Sequence, residues 1–131
     1  IEFNASFDIT SAFYSRFNKS ITALSSDLVL LEPTQSTVNA SIGWVEEGVS
    51  NTVTLDLHTG DHSLNLSDQH DFVVRGDLFS DVLKSNKDII NDEDAVSVCH
   101  IAGNSRNKVM QMRFEDVDNT CIYHLAGKNV G

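Results

Sequence analysis

Thr37-Val38-Asn39-Ala40-Ser41-Ile42-Gly43-Trp44-Val45 sets Val38, Ala40, Ile42 and Trp44 on one side of a period-two pattern, with Asn39 and Ser41 on the other. This alternation is that of a strand with one buried face. Working outward, the same strand character recurs at Leu28–Leu31, stopped by the lone Pro33, and at Thr52–Leu57, Ser63–Leu66 and Phe72–Val74. Later in the chain it returns at Ala95–Ala102, Val109–Glu115 and Thr120–Leu125. His58-Thr59-Gly60-Asp61-His62 reads as a hairpin turn, with Gly60 free to take positive φ.

Only two stretches break the strand rhythm. Ile9, Phe13, Phe17, Ile21 and Leu24 recur at helical spacing behind Asp8 or Thr10 as N-cap. Leu78, Phe79, Val82, Leu83, Ile89 and Ile90 predict a second helix near 78–90. Strands at hairpin spacing with two helices predict an α+β fold built on an antiparallel β-sheet of about 6–8 short strands. The 131 residues, 40% of them hydrophobic, are enough to close one core, so one globular domain spanning 1–131 is expected, with no internal repeat.

The alternating stretch also carries one of four N-glycosylation sequons. These begin at Asn4, Asn18, Asn39 and Asn65, all in the first half of the chain. With 11 Asn and 23 Ser plus Thr, roughly two would arise by chance, so four is a modest excess. Strand phase turns Asn39 and Asn65 away from the apolar side, and Asn18 falls off the helical stripe. Glycosylation requires the secretory pathway, so the expectation is a secreted protein or a trimmed ectodomain.

Charge bears on partners, and cysteine content on compartment. The formal net charge is −10, without a Lys/Arg run, which disfavours nucleic acid and anionic lipid as partners. No apolar stretch reaches the roughly 18–20 residues of a membrane span. Cys99 and Cys121 are the number for a single disulfide. A simple meander would hold their strands nearly 10 Å apart, whereas a bridge needs Cα atoms within about 7 Å. Three outcomes remain, a third strand paired beside the first, a bridge from sheet edge to loop, or free thiols, and a bridge with non-sequential strand order is the one expected.

Short motifs give limited chemistry. Arg75-Gly76-Asp77 matches the tripeptide that integrins read as an arginine and a metal-completing carboxylate on an exposed turn. Read locally, Gly76 ends a strand and Asp77 or Ser80 caps the next helix. Asp56, His58, Asp61, His62 and His70-Asp71 are residue types that zinc accepts, but they flank a turn that fixes no ligand geometry. The acidic stretches Asn91–Asp94 and Glu115–Asp118 lack the Gly and terminal Glu of an EF-hand loop. No metal or cofactor is expected.

No Gly-x-Ser-x-Gly, His-Glu-x-x-His or phosphate-cradling Gly run is present, so an enzyme is not expected, with a small hydrolase the residual catalytic reading. Phe3, Phe7, Phe13, Phe17, Phe72, Phe79, Phe114, Met110 and Met112 suit either a core or the lining of an apolar ligand or lipid carrier. The leading expectation is a glycoprotein domain that acts by protein–protein recognition. It would dock through its glycan-free C-terminal half onto another protein, such as a cell-surface receptor with a basic face.

Overall fold

A computed structural model describes residues 5–24, 28–33, 38–42, 53–57, 72–103 and 108–127. Along the chain run β1 (Ala5–Asp8), α1 (Ser11–Leu24), β2 (Leu28–Pro33), β3 (Val38–Ile42), β4 (Val53–Leu57) and β5 (Phe72–Arg75). They are followed by α2 (Gly76–Ser85), α3 (Lys87–Ile90), β6 (Val96–Gly103), β7 (Lys108–Glu115) and β8 (Thr120–Ala126). The fold is α+β with every pairing antiparallel, as the alternation predicts. Among the described residues the strands divide into two four-stranded sheets rather than one, ordered β1-β6-β7-β8 and β4-β3-β2-β5.

That order reveals a repeat which the side chains do not advertise. Strand, helix and three-stranded meander occur twice, as β1-α1-β2-β3-β4 and then as β5-α2-α3-β6-β7-β8. In each half the first strand leaves its own meander for the other one: β1 pairs with β6, and β5 pairs with β2. Each sheet therefore draws strands from both halves. The repetition lies in the order and pairing of the elements, not in the amino-acid sequence.

Local chemistry explains the element ends. The Thr10 hydroxyl accepts the Phe13 N–H at 3.0 Å, which caps α1. The second helix starts two residues earlier than expected and splits at Asn86, a buried residue whose backbone N–H donates to Leu83 and whose carboxamide donates to Val82 at 2.8 Å. Sequence periodicity missed β1 because four residues are too few to show a pattern.

The core joins both halves. Phe13 and Phe17 of α1 meet Phe79 of α2 with ring centroids 6.3 and 5.0 Å apart. Phe7, Phe72, Phe114, Met110 and Met112 are fully buried in the same cluster. These residues, considered above for a carrier, are packed against one another as core; Phe3 lies outside the described residues.

Candidate interaction surface

Strand register defines four faces. The inner face of the β2–β5 sheet carries Val29, Leu31, Val38, Ala40, Ile42, Phe72 and Val74, all buried. The inner face of the other sheet carries Phe7, Cys99, Ile101, Met110, Met112 and Phe114, also buried. The outer faces differ. On the β2–β5 sheet the row Val73–Leu30–Ser41 is closed, at 1%, 8% and 8% exposure. Leu30 and Val73 lie outside the main core cluster, so this sheet buries apolar side chains on both faces.

The topologically equivalent row of the other sheet is Ser6–His100–Gln111–His124. Gln111 Nε2 lies 3.1 Å from His124 Nε2, so with the amide donating, the imidazole nitrogen accepts. Partial burial, with the Arg113 guanidinium nearby, lowers the His100 pKa from its ordinary value. The adjoining row is Asp8–Val98–Arg113–Ile122, and beyond it Val96 faces Glu115. Val96 and Ile122 are 53% and 48% exposed. Arg113 Nε and Glu115 pair at 3.3 Å between these two apolar residues. This face closes only at its Ser6 and Ala102 corner, where both residues are buried. Half-exposed apolar side chains interleaved with a charged pair and a polar row make a mixed surface open to contact.

The sequence-predicted sites fall unevenly on this frame. Asn18 is half-buried on α1, while Asn39 is half-buried in a strand paired on both sides, its carboxamide oxygen sealed from solvent without a hydrogen-bond partner. Ser41, the hydroxyl member of that sequon, is buried. Asn4 and Asn65 lie outside the described residues, as do His58, His62 and His70.

Cys99 and Cys121 are free thiols. The expected bridge is not formed, because the β6-β7-β8 meander keeps β7 between them: Cys99 sits opposite Met112 and Cys121 opposite Phe114. The non-sequential order that a bridge required does not occur. Burial pushes the Cys99 thiol well above its ordinary pKa.

At Arg75-Gly76-Asp77 the glycine is buried and the two charged side chains grip each other. Arg75 Nη2 lies 2.6 Å from Asp77 Oδ2 and Nε lies 3.2 Å from Oδ1. The guanidinium's hydrogen bond is the largest influence lowering the Asp77 pKa. No side chain caps α2, so the expected cap by Asp77 or Ser80 is replaced by this ion pair. Presenting the motif to a receptor requires the pair to open.

The acidic loops fold on themselves. Asp116 Oδ1 accepts the N–H groups of Asp118 and Asn119 at 2.9 and 2.7 Å, and Asp92 Oδ1 accepts that of Asp94 at 3.0 Å. Among the described residues no three His, Cys, Asp or Glu side chains are placed to hold a metal, and no helix is long and apolar enough to cross a membrane. The His100–Gln111–His124 row escaped sequence reasoning because it exists only across three strands. Alternation put each residue on one strand face, and only strand order and register bring them together.

No known protein-family model and no curated protein sequence matches the chain.

Proposed function

We propose that this chain is a secreted or surface-displayed glycoprotein domain that acts by protein–protein recognition, through the outer face of β6, β7 and β8. The observation that carries this reading is the openness of this face: Val96 and Ile122 stand half exposed beside an Arg113–Glu115 pair, whereas on the other sheet the outer row Val73–Leu30–Ser41 is covered. The face belongs to the C-terminal half, which has no sequon. With a net charge of −10 the partner presents a basic surface, and association slows as salt rises.

The test uses fluorescent protein from a secretory eukaryotic host, applied to a panel of cells and surface receptors. Binding that falls with Ile122→Lys and Val96→Asp, in variants that melt as the wild type does, supports the reading. Binding indifferent to both substitutions would remove this face from it. Peptide mapping of the same preparation reads the compartment, with a glycan expected on Asn18 and little on Asn39. A chain bare at every sequon would sink the secretory half of the proposal.

A further inference from the structure

The last strand holds information that its side chains alone do not. The Gly127 N–H donates to Lys108 O at 2.8 Å, and the Asp116 N–H donates to Asn119 O at 2.9 Å. Register is continuous between them, from Glu115↔Thr120 to Val109↔Ala126. Because antiparallel pairs alternate between bonded and non-bonded, Cys121, Tyr123 and Leu125 turn their backbone groups toward β7. Thr120, Ile122, His124 and Ala126 turn theirs away, and among the described residues no strand pairs beyond β8.

Natural sheet edges are blunted by shortness, charge, proline or a bulge. Among the described strands, three of the four edges follow that rule. β1 and β5 have four residues each and end in Asp8 and Arg75, with β5 running directly into α2, and β4 carries Asp56. β8 has seven residues, Thr120-Cys121-Ile122-Tyr123-His124-Leu125-Ala126, with no Asp, Glu, Lys, Arg or Pro and no break in register.

We propose that β8 is a self-association edge, pairing antiparallel with β8 of a second copy about a two-fold axis at Tyr123. Two features select a second copy over a foreign strand. The net charge of −10 opposes association of two copies over most of the surface, but this seven-residue edge carries no formal charge, so pairing it with itself sets no like charges directly opposite one another. The strand is also self-complementary about Tyr123. Ile122 then faces the partner's His124 and Thr120 the partner's Ala126, all four being residues with outward backbone groups, and roughly eight N–H···O bonds form. Half-buried Cys121, Tyr123 and Leu125 fall on one face and complete their burial against the same residues of the second copy. The result is an eight-stranded sheet that leaves the recognition face of each copy outward.

Sedimentation equilibrium of the purified chain under reducing conditions reads the mass, and the expected result is a dimer that dissociates on dilution. Ile122→Pro removes only an outward N–H, so it leaves the β7–β8 ladder intact and yields a monomer with unchanged far-ultraviolet circular dichroism. Tyr123→Cys places two thiols across the axis, where the paired Cα atoms lie about 4.5 Å apart, and mild oxidation cross-links them. Wild-type Cys121, facing Leu125, does not cross-link. A chain that stays monomeric at all concentrations, with no cross-link in Tyr123→Cys, overturns the proposal. So does a dimer that survives Ile122→Pro. Neither result depends on finding a receptor, so failure here is separable from failure of the recognition reading.

Discussion

The two sheets are built to one plan, each a three-stranded meander completed by the other half's first strand, yet one buries the row Val73–Leu30–Ser41 on its outer face while the other leaves Val96 and Ile122 half exposed on its own. Position for position, Leu30 corresponds to His100 and Ser41 to Gln111. The apolar row is covered, whereas the polar row is closed at Ser6, half-buried at His100 and Gln111 and exposed at His124. Topology therefore supplies the scaffold twice, and side-chain chemistry on one strand face distinguishes a covered row from an open one.

The largest effect is expected where the halves meet. Phe79→Ala empties a fully buried site between Phe13 and Phe17, and should destabilise by about 3–5 kcal/mol, read by denaturant titration. Because each sheet borrows a strand from the other half, unfolding should remain a single transition. Two separated transitions would show that the halves fold independently.

The outer faces should differ next. Val73→Lys places an unpaired ammonium where exposure is 1%, and is expected to cost about 3 kcal/mol or more. Ile122→Lys, 48% exposed on the open sheet, should change stability by no more than about 0.5 kcal/mol. Equal costs would erase the distinction between the sheets.

Thiol chemistry makes a smaller test within one sheet. Cys121 is half-buried on the edge strand, while Cys99 is fully buried with its thiol held protonated. Native protein should therefore expose one fast-reacting thiol to a disulfide reagent, and the second only on unfolding. Two silent thiols in non-reduced protein would show that a bridge forms, which the meander forbids without rearrangement.

The smallest effect is on pH dependence. Since the folded state lowers the His100 pKa, the unfolded chain takes up the proton more readily. Stability should be flat well above the ordinary histidine value of about 6.5, and should decline as pH falls through it toward the lower folded value. His100→Gln should reduce that slope, measured by melting temperature against pH.

Much of the fold was legible because alternation is a local property. Val38–Ile42 and Met110–Phe114 announce their buried faces with residues two apart, and Phe13 and Phe17 announce theirs four apart. What could not be read was partnership. Nothing in Ala5–Asp8 says that it pairs with a strand more than ninety residues later, and no side chain records that Phe72–Arg75 completes the first meander. The candidate surface shares that origin, since His100, Gln111 and His124 become neighbours only after β6, β7 and β8 are set in order. The disulfide expectation failed for the same reason: cysteine count is local, strand order is not.

The claim that the open face is the contact face is tested most directly by putting a glycan on it. Gln111→Asn with Arg113→Thr creates a sequon in the middle of β7, on the outer face and one strand away from the β8 edge. With that site occupied and the melting temperature preserved, binding to the cells that capture the wild-type protein should be lost. Undiminished binding with the glycan in place would contradict the account.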